Sequence, residues 1–434
     1  MVEEKTTTDL FGIMLKTRVK ILILHNYYKQ AGGEDSTVQR ETALLGAAGH
    51  HISTYFRHNR DIDQGSFVAK IATGSKAIWA RDSRRELGAL LKREKPDLAH
   101  FHNTFPLISP SAYYACHDAD VPIVQTLHNY RLFCAPGTLF RDGGICKECL
   151  EHSLWRGVRH ACYRESRPQT AAVALTLAVH RKLRTWARNI DCYIAPTEFV
   201  RRIFVEAGFP PDKVFVKPNF VDHDPGARRS AGEYAIFAGR ITEEKGLRTL
   251  IAAWALLEKR IPLVIVGDGP LRSELEQEAV QQGVSNVVFR GSLPNADTIV
   301  MIKGAKFLIF PSEWYETFGT TIIEAFACGI PVLCSKLGAM EELVADGRTG
   351  LHFTPGDPAD LAAKVNWAWG HSEEMDEMGR AARREYEAKY TPKRNYDLLM
   401  TAYRFALRGA DEPLEKLALR SDRLDLEIRP AAKK

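Results

Sequence analysis

The feature that most constrains this chain is a rhythm of short aliphatic runs, each followed by a stretch of helical length, which runs once and then starts again. Val19–Leu24 is a nearly continuous aliphatic segment, as expected of a strand buried on both faces. A glycine-bearing loop, Ala31-Gly32-Gly33, and a helical pattern from about Ser36 to Ala48 follow it. Further short apolar strands are expected at Asp97–Phe101, Pro122–Leu127, Cys192–Ala195 and Val214–Val216. The second pass opens with a strand at Tyr234–Ala238 and an amphipathic helix over Leu247–Glu258. It continues with strands at Leu263–Val266, Val287–Phe289, Phe307–Phe310, Val332–Cys334 and Gly350–Phe353. Strands alternating with helices imply parallel sheets covered on both sides. Between the passes, Val221–Gly232 carries Asp, Pro, Gly, Arg and Ser without an apolar run and reads as a linker. The fold class is therefore α/β, with two Rossmann-like doubly wound domains facing across a cleft. Residues 1–220 are expected to form the first domain and 221–390 the second. Residues 391–408 read as a C-terminal helix packing back on the first domain, and 409–434 as a charged tail with six basic and six acidic residues.

Composition narrows the classes. The chain has 434 residues, room for roughly two to three domains. At 45% hydrophobic and 26% charged it has an ordinary globular balance. A net charge of +5 is too small to argue for a nucleic-acid partner. The N-terminal segment, with Glu3 and Glu4, lacks the charge order and apolar stretch of a signal peptide. The longest apolar run, Ala171–Val179, is about half the ~20 residues that span a bilayer. Eight cysteines make no disulfide scaffold in such a chain. The expectation is a cytoplasmic protein.

In open α/β sheets, ligands bind beyond the carboxyl ends of the strands. Polar residues collect there: Gly32-Gly33, His102-Asn103, His128-Asn129 and Pro196-Thr197 in the first half. In the second half they are Gly239-Arg240, Gly267-Asp268-Gly269-Pro270 and Pro311-Ser312-Glu313. The first glycine loop is neither a full G-x-G-x-x-G fingerprint nor a P-loop, which weighs against a nicotinamide dehydrogenase and a P-loop nucleotidase. Glu316-Thr-Phe-Gly-Thr-Thr-Ile-Ile-Glu324 sets two carboxylates around a Thr-Phe-Gly-Thr turn. A helix starting near Gly319–Thr320 would offer free amides to a phosphate. Glu316 would then lie before the helix and Glu324 about one turn into it, so that one acid can reach the sugar end of a sugar nucleotide and the other the ribose; the plain alternative is a capping acid and an ordinary helix glutamate. Arg240 and Lys245, five positions apart among glycines, suit a diphosphate, with a solvated charged loop as the alternative.

Taken together, these pieces resemble the retaining glycosyltransferases of family four (glycosyl transferases group 1), two-domain enzymes of the GT-B fold. The matching segments are Gly32-Gly33, Lys217-Pro-Asn-Phe-Val-Asp222, Gly239-Arg240 with Glu244-Lys245-Gly246, Gly267–Pro270, Pro311-Ser312 and the Glu316/Glu324 pair. They run in order from about Val19 to Arg404. The resemblance implies that Arg240 and Lys245 neutralise a donor diphosphate and that Glu316 contacts sugar hydroxyls. It implies backbone contacts from Phe318, Gly319 and Thr320, ribose binding by Glu324, and donor contacts at Gly269 and, from the other domain, Gly33. His128 matches a family histidine near the reacting sugar, although Asn129 follows it where many members carry Asp. No cofactor is implied for catalysis, and the D-x-D triplets Asp61/Asp63, Asp118/Asp120 and Asp222/Asp224 read as surface or linker acids. The partners implied are a nucleoside-diphosphate sugar and a hydroxyl acceptor, lipid-linked or polysaccharide. Other GT-B activities, such as a sugar-nucleotide epimerase or phosphorylase, and a catalytically silent sugar-nucleotide-binding protein are the alternatives.

Two features stand outside that pattern. Cys134, Cys146, Cys149 and Cys162 are spaced C-x11-C-x2-C-x12-C, and C-x2-C is the usual bite of a zinc knuckle. A structural zinc and ordinary free thiols are both open readings. Residues 156–188 hold eight Lys/Arg against one acid, Glu165, around the apolar Ala171–Val179 run and Trp186. That composition suits a peripheral helix at an anionic membrane face, and equally a solvated basic surface.

Overall fold

A computed structural model describes residues 18–29, 32–62, 76–230 and 232–408. The signal-peptide reading of the N-terminus, the tail at 409–434, Ala31 and Asp63 lie outside the described residues. The first domain contains strands β1 (Lys20–Tyr27), β2 (His51–His58), β3 (Leu98–Asn103) and β4 (Ile123–Thr126). A small hairpin, β5 (Phe140–Arg141) and β6 (Gly144–Ile145), precedes β7 (Cys192–Ala195) and β8 (Val214–Val216). The six long strands form a parallel sheet in the order β2-β1-β3-β4-β7-β8. The second domain contains β9 (Tyr234–Ala238), β10 (Leu263–Val266), β11 (Val287–Gly291), β12 (Ala305–Phe310), β13 (Val332–Ser335) and β14 (Gly350–Phe353). These make a second parallel sheet in the order β11-β10-β9-β12-β13-β14.

Each central strand is apolar on both faces because helices cover both. Along β1, Leu22 and Leu24 enter one core cluster while Ile21 and Ile23 enter the other. Along β9, Ile236 and Ala238 divide in the same way from Ala235 and Phe237. The C-terminal helix Pro392–Arg408 crosses back to the first sheet, where Leu399, Ala402, Tyr403, Phe405 and Ala406 pack with Ile21, Ile23, Val124 and Ile194. Burial of a large apolar side chain stabilises by about 1.5–3 kcal/mol, so this helix belongs to the first domain's core.

Local boundaries depart from the sequence expectations for physical reasons. Strand β2 was not foreseen: it is an edge strand whose one fully buried residue is Tyr55, so it carries no aliphatic run. The first helix begins at Gly33 rather than Ser36, since the Asp35 carboxylate accepts the Gly32 amide at 3.1 Å and closes the first turn. The helix from Leu247 stops at Ala255, short of Glu258. The Ala171–Val179 run falls in the helix Arg167–Lys182, which turns Val173, Ala174 and Leu177 into the first domain's core. Most of that apolar surface therefore serves the fold.

Candidate active site

Both sheets reverse their strand order once, at β1/β3 in the first and β9/β12 in the second, and ligand crevices open at such points. The two carboxyl ends face one another. Between them lies a cavity of about 920 Å³ lined by Gly33 and His128 from the first domain and by Arg240, Lys245, Glu316, Phe318 and Thr320 from the second. An adjoining cavity of about 810 Å³ runs along the second domain past Arg240, Gly269, Asn295 and Glu324. Thr317 donates its hydroxyl to the His128 carbonyl at 3.0 Å, and Thr197 donates to the Thr317 carbonyl at 3.3 Å, so the walls touch. Glu342 also accepts the amides of Glu198 and Phe199 at 2.8 and 2.7 Å, capping a first-domain helix from the second domain.

The second domain's wall is set by tight backbone. Gly246 sits at φ +68°, and a Cβ there would lie 2.0 Å from the Pro311 carbonyl oxygen. Gly267, at φ +137°, would press a Cβ to 1.8 Å from the Gly239 carbonyl oxygen. Only glycine lets these loops approach so closely. Lys245 is thereby held over the cleft, its Nζ 2.5 Å from the Glu316 carboxylate and 5.5 Å from the Trp314 ring. Ser312 donates to the same Glu316 oxygen at 2.8 Å. Glu316 is 5% exposed, so its charge depends on these partners. Arg240 is 63% exposed beside Glu244 at 3.8 Å and can swing into the cleft.

Gly319 caps the helix Thr320–Ala327, whose first residues Thr320 and Thr321 line the cleft. This helix start lies on the cavity that Lys245 and Arg240 also line, and a helix N-terminus is a ready anion site. One turn on, Glu324 is buried and accepts from Asn295 at 3.1 Å and from Arg40 at 3.4 Å. Burial pushes its carboxyl above the ordinary range, opposed by Arg40. Arg40 was absent from the sequence reading, because nothing in a helix residue's identity announces a partner 284 positions away.

The first domain's wall is instead a buried polar network. His25 pairs with Asp35 at 2.7 Å, and His102 Nδ1 meets His128 Nε2 at 2.9 Å. Burial, reinforced by the neighbouring histidines and Lys217, holds His102 and His128 far below the usual imidazole range. His128 is thus neutral near pH 7 and suited to hydrogen bonding rather than to carrying charge. Glu41, His100 and His102 lie within ligand distance of one another. Most of their polar atoms are committed elsewhere: His100 binds Tyr403 and Thr126 at 2.9 and 2.8 Å, Glu41 Oε1 binds Lys217 Nζ at 2.6 Å, and only Glu41 Oε2 and His102 Nε2, 3.9 Å apart, have no hydrogen-bond partner among the described residues. An ammonium so placed opposes a cation. Glu34, also missed, lines the cleft with Tyr28 at 3.1 Å and Asn129 at 3.2 Å. Burial pushes its carboxyl up to about 8 against the pull of Arg131. At Gly33 the protein's own atoms leave room for a Cβ, so packing does not demand glycine there.

Two of the D-x-D acids pair with arginines: Asp118 with Arg84 and Asp224 with Arg383, each at 2.6 Å. The four cysteines lie outside the cleft, although the turn Pro136–Thr138 that follows Cys134 lines it. On the basic segment, Leu175 and Leu183 remain exposed, Leu183 among the exposed Arg181, Lys182 and Arg184, and Trp155 just before the segment is exposed as well.

Residues 221–385 match the family model Glycosyl transferases group 1, and residues 31–225 match Glycosyltransferase Family 4. An uncharacterised glycosyltransferase of Methanocaldococcus jannaschii is 34% identical over 74% of this chain and 75% of its own length. The chain belongs to glycosyltransferase family 4. O-antigen chain mannosyltransferase C of Escherichia coli is 31% identical over 41% of this chain and 48% of its own length. The match thus spans about half of that curated relative. The crystal structure of Anabaena Alr3699/HepE in complex with UDP superposes with a TM-score of 0.63 at 19% identity, covering 88% of this chain and 99% of that one. The fold of this family 4 member is accordingly GT-B. Among its described residues no helix is long and apolar enough to cross a membrane.

Proposed function

We propose that this family 4 chain transfers a sugar from a nucleoside-diphosphate sugar to a hydroxyl acceptor, with retention of anomeric configuration and without a catalytic metal. The observation that carries the reading is the Lys245–Glu316 pair beside the open N-terminus of Thr320–Ala327, directly across the cleft from neutral His128. Lys245, Arg240 and the first-turn amides stabilise the negative charge that develops on the departing diphosphate, an electrostatic form of catalysis. Glu316 orients Lys245 and reaches sugar hydroxyls; Glu324 and Asn295, in the adjoining cavity, hold the ribose. The acceptor oxygen attacks the anomeric carbon from the face the diphosphate leaves. The C–O bond to phosphate breaks as the new glycosidic bond forms, and the acceptor proton passes to a phosphate oxygen. His128 accepts or donates a hydrogen bond to a sugar hydroxyl without changing charge.

That Alr3699/HepE has been solved with UDP and with UDP-glucose supports a nucleotide-sugar donor. The O-antigen mannosyltransferase relative supports a growing polysaccharide or lipid-linked acceptor. The exposed Leu183 among Arg181, Lys182 and Arg184 supports a peripheral position at an anionic membrane surface. The test follows a nucleotide-sugar donor with and without acceptor in the presence of EDTA. Acceptor-dependent release of nucleoside diphosphate, with product of the donor's own anomeric configuration, is expected. Turnover without acceptor would instead indicate an epimerase or hydrolase, and restoration of lost activity by magnesium would overturn the metal-free site.

A further inference from the structure

The segment between β4 and β7 is built unlike the rest of the molecule. From Cys134 to Cys162 its elements are the hairpin β5–β6, the four-residue helix Glu148–Glu151 and the five-residue helix Trp155–Arg159. None is long enough to be stable by itself. The four cysteines punctuate these pieces. Cys134 precedes the hairpin, Cys146 follows β6, Cys149 lies in the first short helix, and Cys162 follows the second. Cys134 and Cys149 are buried, Cys146 and Cys162 are half-buried, and none is in a disulfide. Cys149 is within electrostatic reach of the other three, and Cys146 of Cys134 and Cys162. Burial raises the Cys134, Cys149 and Cys162 thiols as free groups, and donors close to each act against that shift. The backbone amides of Gly137, Thr138 and Leu139 face Cys134, and that of Gly157 faces Cys149. The Arg141 side chain faces Cys162. Amides and a guanidinium turned onto sulfur are the outer partners that orient and stabilise ligating thiolates.

From the spacing, the shared location and these donors, we infer that Cys134, Cys146, Cys149 and Cys162 form a structural zinc site that staples this segment to the wall of the cleft. No three of the sulfurs lie within 4.8 Å of one another, so closing on an ion requires side-chain rotation. Turning a cysteine about Cα–Cβ moves its sulfur by about 3 Å. Zinc binding releases the thiol protons and gives a closed four-sulfur site with no open position for catalysis. Its consequence is positional. Cys134 anchors Pro136–Thr138, which lines the cleft beside Asn129 and Arg131, so the ion fixes the shape of the first domain's wall.

The experiment is metal analysis of the full chain expressed with zinc in the medium and freed of loosely bound metal by EDTA dialysis. About one zinc per chain is expected. Cys146→Ser and Cys162→Ser, at the half-buried positions, should each lose it, while Cys334→Ser in the second sheet should keep it. Because a ligand variant can fail to fold, the parent is also exchanged with cobalt. The strong sulfur-to-metal absorption of a tetrahedral four-thiolate site is expected. A parent without zinc, zinc retained in both ligand variants, a cobalt spectrum lacking thiolate bands, or disulfides among these four cysteines would each overturn the inference.

Discussion

In the second domain the cleft wall is mostly backbone, whereas in the first it is mostly buried side chains. Gly246, Gly267 and the helix start at Thr320 place amides and Lys245 through turns that span a few residues of chain. The His25–Asp35, His102–His128 and Glu41–Lys217 contacts join residues 10, 26 and 176 positions apart. The difference is one of cost. A glycine turn is fixed locally and exposes its amides to a ligand, whereas a buried charge needs its partner delivered by the fold. The donor half should therefore be sensitive in rate, and the first-domain half in stability.

The largest expected effect tests the stability side. Lys217 and Glu41 are 1% and 0% exposed, so Lys217→Met strands a buried carboxylate and should cost about 3–5 kcal/mol in denaturant unfolding. Adding Glu41→Gln should recover most of that loss; no recovery would mean the pair is not the source. Next comes the rate side. Lys245→Ala and Glu316→Ala should each lower turnover by at least ~100-fold while the protein keeps its unfolding transition. Near-normal turnover in both would remove the donor site from Lys245 and Glu316.

A smaller effect concerns pH. The Glu34 carboxyl titrates at about 8 in the fold but at 4.5 as its ordinary value. Between those values the folded state holds a proton that the unfolded state has released, so stability falls as pH rises through the window. Melting temperature should therefore drop by a few degrees more in the parent than in Glu34→Gln between pH 5 and pH 8.5. Parallel curves would show that Glu34 is ionised in the fold. The smallest effect is at the surface. Reversing Arg181, Lys182 and Arg184 to Glu should weaken binding to anionic vesicles, and added salt should weaken it for the parent. A parent that ignores such vesicles would leave these residues as a solvated face.

The same contrast explains what could be read from the sequence. Doubly buried strands such as β1, β9 and β12 announce themselves as aliphatic runs, and the turns after them as Gly, Pro and charged residues at fixed offsets. The second domain's wall was legible for that reason: Arg240, Lys245, Glu316, Phe318 and Thr320 come together around one cavity. Strand β2 was not legible, because its edge position lets polar residues occupy most of its length. Arg40 and Glu34 were missed because their roles depend on Glu324 across the cleft and on Tyr28 and Asn129 beside it. The one available cue for Glu34 was an acid directly after the Gly32-Gly33 turn. On the basic helix, packing takes Val173, Ala174 and Leu177 out of the apolar run and leaves Leu175 and Leu183 exposed, a division that composition alone does not reveal.

The central claim is that the second domain's turns hold a diphosphate through Lys245 and the Thr320 helix start. Calorimetric titration of nucleoside mono- and diphosphates into the parent and Lys245→Ala, in EDTA, tests it most directly. The parent should prefer the diphosphate, and Lys245→Ala should weaken diphosphate binding by about tenfold or more with little change for the monophosphate. Equal diphosphate affinity in parent and variant, or binding that appears only with added magnesium, would contradict it.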